Sequence, residues 1–164
     1  MLSFQDLYQS HKDDVYRFCF WLAGNQADAE DITSDTFVRA WARRSAIRTQ
    51  TLHAYLLTIA RNAFLEQRRK RQRQVSLDDV YVDPAPGPER QVESQLEIVR
   101  VHRVLQSVTE VDRAAFILRV QHDLPYAEIA RVLQISVPAA KVKVHRVRKK
   151  LIEARVQSEE GPRQ

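Results

Sequence analysis

Three glycines in 164 residues, Gly24, Gly87 and Gly161, constrain this chain more than any other feature of its sequence. Tight β-hairpins and phosphate-cradling loops depend on glycine to reach positive φ. A sheet-dominated fold and a Gly-rich nucleotide loop therefore fall away, and the expected fold class is all-α. With 44% hydrophobic and 29% charged residues, the chain has a globular rather than a disordered balance. Its length allows one medium domain or two very small ones.

The distribution of charge favours two. The formal net charge is +5. Residues 1–75 carry 12 basic and 8 acidic side chains, and residues 96–164 carry 13 and 8. Between them, residues 76–95 hold one basic residue, Arg90, against Asp78, Asp79, Asp83, Glu89 and Glu93. The same segment contains Pro84-Ala85-Pro86-Gly87-Pro88, which cannot be helical, because proline lacks the N–H donor and pushes its predecessor out of the α region. The organisation expected is an N-terminal helical domain over 1–74, an acidic, Pro-containing flexible linker over 75–95, a C-terminal helical domain over 96–157, and a disordered tail over 158–164.

Apolar spacing predicts three helices in the first domain: Phe4 to Ala23, Gln26 to Arg44 and Thr51 to Arg73. Gly24-Asn25 stops the first. The second has Asp28, Glu30, Asp31 and Asp35 early and Arg39, Arg43 and Arg44 late, an order that suits the helix dipole. The third ends in Arg68-Arg69-Lys70-Arg71-Gln72-Arg73, a run suited to a nucleic-acid backbone or to a solvated helix end.

In the second domain, helices are expected over Glu93 to Ser107 and Asp112 to Gln121, with Thr109 as an N-cap. Pro125 then sits at the start of a short helix ending near Leu133. Gln134-Ile135-Ser136 breaks the pattern, and Ser136 can cap a further helix with Pro138 in its first turn. That last helix has Ala140, Val144, Val147, Leu151 and Ala154 at four- and three-residue spacings, with Lys141, Lys143, His145, Arg146, Arg148, Lys149 and Lys150 on its other faces. A short helix, a three-residue turn and a basic helix make a helix-turn-helix, whose second helix enters the major groove.

Against these signals, enzymatic chemistry has no support. His11, His53, His102, His122 and His145 are scattered, without acidic partners at metal-ligand spacing. No nucleophile elbow, Walker loop or HExxH occurs. A single cysteine excludes an intramolecular disulfide and multi-cysteine metal sites, and its place on an apolar helix face predicts a buried thiol. No catalytic residue, metal or cofactor is expected. The apolar stretches from Phe18 to Gly24 and from Ala54 to Ala60 are far short of the ~20 residues that span a bilayer, and Met1 to Asp6 is not the start of a signal peptide. A soluble, cytoplasmic protein without membrane insertion is expected.

The residues resemble the extracytoplasmic-function sigma factors of bacterial RNA polymerase, over roughly 4–73 and 96–155. Asp28-Ala29-Glu30-Asp31-Ile32 through Thr36-Phe37-Val38-Arg39-Ala40-Trp41 is similar to that family's polymerase-binding helix, and Ala54 to Asn62 to its promoter −10 helix. Tyr126 to Arg148 is similar to its −35 reader. Tyr55 stands where the family usually has Trp, Ser34 and Glu66 replace a common Gln and Asp, and Gln134 occupies a turn position that often holds Gly.

The resemblance implies docking on the clamp helices of the polymerase largest subunit through Asp31, Asp35, Phe37 and Arg39, with Trp41 in the core. It implies capture of the −10 strand by the loop Ser45 to Gln50 and by Tyr55, Arg61, Asn62, Arg68 and Arg69. Duplex at the −35 element would be held by Ser136, Ala139, Lys141, Lys143, His145, Arg146 and Arg119. Lys141 and Lys143 lie nearest base edges, and Arg146, His145 and Arg119 lie on phosphates. Val142 and Val144 cannot both face DNA, and Val144 belongs to the core series. Core polymerase, promoter DNA and an anti-sigma factor that holds the protein at the membrane are the implied partners. The rival reading is a stand-alone helix-turn-helix regulator that needs no polymerase.

Overall fold

The structure, a computed structural model, describes residues 3–47, 51–75 and 93–159. Among them are seven α-helices, one 3-10 turn and no strand: α1 Phe4–Ala23, α2 Gln26–Ala42, α3 Leu52–Val75, α4 Glu93–Ser107, α5 Glu110–Val120, α6 Tyr126–Leu133 and α7 Val137–Glu159, with the 3-10 turn at Arg44–Ala46. The first helix has the expected bounds, and α4 begins and ends where its apolar spacing does. Helix α5 starts two residues earlier than expected, directly after its Thr109 cap, whose hydroxyl accepts the Asp112 N–H at 3.3 Å. The expected linker is trimmed at both ends by α3 and α4, and its residues 76–92 lie outside the described set. Helix α7 continues through Ser158 and Glu159, two residues into the stretch assigned to a disordered tail. There the Ser158 hydroxyl accepts from Arg100 of α4 at 2.6 Å.

Each turn has a local cause. Gly24 ends α1 at φ 90°, and a Cβ at this position would come within 2.8 Å of the Gln106 side chain on α4. The left-handed backbone is what favours glycine here, since the exposed end of the Gln106 side chain can move aside. The Asn25 side chain then caps α2. In the helix-turn-helix, Gln134 adopts φ 56°, ψ 48° as the cap of α6, the left-handed position that the sequence marked as one for glycine. Ile135 follows and packs against the core, and the Ser136 hydroxyl caps α7 by accepting the Ala139 N–H at 3.1 Å.

Helices α1–α3 form one bundle around Leu7, Val15, Phe18, Leu22, Phe37, Leu56 and Leu57. Helices α5–α7 close a second around Ile117, Leu118, Ile129, Val144 and Val147. The two cores are continuous. Buried Arg113 of α5 donates to the Leu22 carbonyl at the end of α1 (2.6 Å) and to the Leu105 and Val108 carbonyls at the end of α4 (2.7 and 3.3 Å). His102 donates to the Gly24 carbonyl at 2.9 Å. His122, beyond α5, packs its ring edge on Phe18 and beside His53. Unpaired carbonyls at a helix end seek donors, and a guanidinium with five N–H groups serves two such ends at once.

Candidate nucleic-acid interface

Basic residues are concentrated on α3 and α7, and the structure separates those that are committed to partners from those that face out. On α7 the apolar series turns inward: Ala140, Val144 and Val147 are buried, while Val142 is 53% exposed. Lys141 and His145 are exposed on the outer side. The Lys141 ammonium lies 5.8 Å from the Tyr126 ring centroid, and the Arg119 guanidinium covers the same ring at 4.6 Å. Arg119 also donates to the Leu124 carbonyl at 3.2 Å, so it braces the start of α6 while remaining partly open. Ser136 and Ala139 stand at the N-terminus of α7, where backbone N–H groups and the dipole favour a phosphate.

Lys143 departs from expectation. Its ammonium lies 3.3 Å from Asp112 Oδ1, and Arg146 Nη1 lies 3.3 Å from Oδ2 of the same buried carboxylate. Lys143 therefore faces α5 rather than the open side of α7. Its position two residues beyond Lys141 rotates it by about half a turn of a 3.6-residue helix, which the charge count alone does not register.

On α3, Asn62, Arg68 and Arg69 are exposed. Arg61 is not available as assigned. Its Nε and Nη2 donate to Glu110 Oε1 and Oε2 at 2.7 and 2.9 Å, with side chains only 12% and 8% exposed. Tyr55 is half-buried and borders a groove whose other wall is Glu128, Arg131 and Val132 of α6. Of the residues read as the −10 surface, Tyr55 and Arg61 are thus turned onto the second bundle, while Asn62, Arg68 and Arg69 stay open. Within the basic run, Arg71 forms a two-pronged pair with Asp28 of α2 and holds that carboxyl below its ordinary range. The segment 45–47 is described and 48–50 lies outside the described residues.

On α2, Asp31 is exposed and Asp35 half-exposed. Both line an open groove with Glu66 and Lys70 of α3. Arg39 bridges the two helices, 3.0 Å from Asp35 and 2.6 Å from Glu66. Hydrogen bonding to Arg39 holds the Glu66 carboxyl below its ordinary range. Phe37, assigned to the polymerase contact, is 1% exposed, and its ring meets Tyr8 edge-on at 5.1 Å. It is a core residue, because it shares the inward face of α2 with Ala29, Ile32 and Ala40. Trp41 packs edge-on against Phe4 at 5.6 Å, and Arg44 covers its ring. Cys19 is buried, and burial pushes its thiol up to about 12. Among the described residues no cluster of His, Cys, Asp and Glu could hold a metal ion, and no helix is long and apolar enough to cross a membrane.

The sequence reading missed the acidic partners. Glu110, Asp112 and Asp28 are buried at the starts of helices, where each passes for a dipole or capping residue. Only the tertiary contact shows that each neutralises an arginine or lysine from another helix.

Among the described residues, an all-helical fold joins an acid-rich, partly exposed α2 and a basic α3 to a helix-turn-helix bearing an outward basic helix, the arrangement of a DNA-binding module. Residues 7–74 match the family of Sigma-70 region 2, and residues 98–151 match Sigma-70, region 4. The chain is 33% identical over 92% of its length to the ECF RNA polymerase sigma factor SigE of Mycolicibacterium smegmatis, and spans 61% of that protein. It is 30% identical over 85% of its length to the ferric citrate uptake sigma factor FecI of Escherichia coli, and spans 83% of it. Its fold superposes on the sigma factor RpoE of Bartonella quintana, crystallised with the anti-sigma factor NepR, with a TM-score of 0.80 and 26% identity, covering 92% of this chain and 95% of that one. The chain belongs to the extracytoplasmic-function sigma factors of the sigma-70 family, which are transcription initiation factors and not enzymes. A stand-alone regulator would leave the region 2 match over 7–74 without a purpose.

Proposed function

We propose that the chain divides initiation among three surfaces. Asp31 and Asp35, with the Arg39–Glu66 bridge behind them, dock on the clamp helices of core polymerase. Asn62, Arg68, Arg69 and Tyr55 of α3 hold the melted −10 strand, joined by Arg61 once the bundles part. On α7, Lys141 reads the −35 duplex from the outer face, while Ser136, Ala139, His145, Arg146 and Arg119 hold its backbone. Melting needs no covalent chemistry: it is driven by binding the extruded strand more tightly than the duplex, which offsets a few kcal/mol per unstacked base. A cytoplasmic location and an anti-sigma partner complete the reading.

The observation that carries it is the opposed orientation of the two basic helices. Helix α7 turns Lys141 and His145 to solvent, while α3 turns Tyr55 and Arg61 onto the second bundle. In this arrangement duplex binding is possible at once, and strand capture waits for the bundles to separate.

Reconstitution with purified bacterial core polymerase and run-off transcription across a promoter-fragment library tests the reading. The expected result is a set of transcripts starting at a fixed distance from a shared two-part motif. Asp35→Arg should abolish polymerase binding with the helical circular dichroism intact, and Lys141→Ala should change the upstream preference alone. Retained duplex binding without any polymerase complex overturns the assignments on α2 and α3.

A further inference from the structure

Helix α7 carries more cations than it turns towards solvent, and one buried carboxylate makes the difference. Asp112 sits in the first turn of α5 with its N–H capped by Thr109, and only 4% of its side chain is exposed. A carboxylate removed from water is costly unless it is paired. Both partners come from α7: Lys143 on one oxygen and Arg146 on the other, each at 3.3 Å. The two cations are not equivalent. Lys143 is 24% exposed, and its ammonium is turned to Asp112 Oδ1 on the α5 side rather than to the open face of α7. Arg146 is 54% exposed and keeps further N–H groups after one is given to Asp112.

We propose that Asp112 is a positioning residue that sets how the duplex-reading helix uses its charges. It withholds Lys143 from DNA, fixes the plane of the Arg146 guanidinium so that its remaining N–H groups meet a phosphate, and so leaves Lys141 to discriminate bases. The proposal rests on α7 being the duplex reader. Its consequence is restrained binding to duplex in general: a helix with every cation free binds every duplex more tightly, because phosphate contacts carry no sequence information.

The test uses the full chain, a duplex containing the upstream element selected by run-off transcription, and a scrambled duplex of equal length. Binding is followed by fluorescence anisotropy over a range of salt. Asp112→Asn keeps the shape and removes the charge. It should bind scrambled DNA about eightfold tighter near 0.1 M salt, with a salt slope steeper by about 0.9, as one additional phosphate contact requires. Affinity for the selected duplex should rise by a similar factor, since a phosphate contact carries no sequence information. Adding Lys143→Gln to that variant should return the slope to its original value, and Lys143→Gln alone should change affinity by less than about twofold. An unchanged slope in Asp112→Asn, or a marked loss in Lys143→Gln alone, overturns the proposal. If Asp112→Asn fails to fold, Lys143→Gln alone still decides the matter. If Lys141→Ala also leaves discrimination untouched, it is the reading of α7 itself that fails.

Discussion

Glu110→Gln should open the molecule. The pair it breaks joins α3 to α5 across 49 residues of sequence, through two hydrogen bonds of 2.7 and 2.9 Å between side chains that are 12% and 8% exposed. Removing one partner of a buried ion pair costs about 3–5 kcal/mol, because the other charge stays buried and uncompensated. Once the bundles separate, Arg61 and residue 110 are both in water, and the same change costs almost nothing. The closed arrangement therefore loses about 3 kcal/mol relative to the open one, more than a hundredfold in their ratio. Dyes on Gln9→Cys and Glu153→Cys, both exposed positions, report the change by energy transfer. Cys19 does not interfere, since its thiol is buried and protonated. The low-transfer population should rise in Glu110→Gln, and single-stranded −10 DNA should bind more tightly as Tyr55 and Arg61 are uncovered. Unchanged energy transfer with a lowered unfolding midpoint would refute this reasoning: the pair would then belong to one folding unit rather than to a separable contact.

Three other outcomes follow from local chemistry. His122 Nε2 is buried without a hydrogen-bond partner, and burial, with help from His53 and Arg17 against Asp14, takes its pKa down to about 4. The neutral imidazole is the form the fold accepts. Stability is therefore complete above the unfolded value near 6.5 and falls by about 1.4 kcal/mol per pH unit towards 4, then levels off. Urea unfolding at successive pH values should show this slope, and His122→Phe should flatten it. Gln134→Gly should stabilise the protein by about 1 kcal/mol, read from the unfolding midpoint, because a left-handed non-glycine residue is strained by about that amount. Cys19 should resist thiol reagents at pH 8 in the folded protein and react fully once unfolded, as a thiol raised to about 12 requires.

Much of the fold could be read from the chain because its causes are local. Apolar spacing set α1 and α4 to the residue, and Ser136 and Thr109 marked helix starts by their hydroxyls. Gln134 was legible as an unusual turn residue only through the family resemblance, in which Gly often stands there, and the structure gives it a left-handed backbone. The site was less legible, since the same residue type serves as contact or as structure according to its face. Phe37 and Val38 are neighbours, yet one is buried and the other 64% exposed. Lys141 and Lys143 are both basic residues of the reading helix, yet only the second meets a carboxylate. Arg61 lies in the middle of the −10 motif, and nothing within 40 residues of it announces Glu110.

Those exceptions share a physical origin. Glu110 and Asp112 occupy the first turn of α5, where the helix dipole makes buried negative charge less costly than elsewhere. Standing two residues apart, they project in different directions. Glu110 takes Arg61 from α3 and Asp112 takes Lys143 and Arg146 from α7, so one helical turn holds cations from both basic helices. Arg113, one position on, ties the same turn to the ends of α1 and α4. A displacement of α5 relative to α3 would break the Glu110 pair and leave the Asp112 pairs whole, since α5 and α7 belong to one bundle. On the proposed division of roles, strand capture and duplex reading should therefore be separable. Charge changes at residue 110 should act on the first alone, and changes at residue 112 on the second alone.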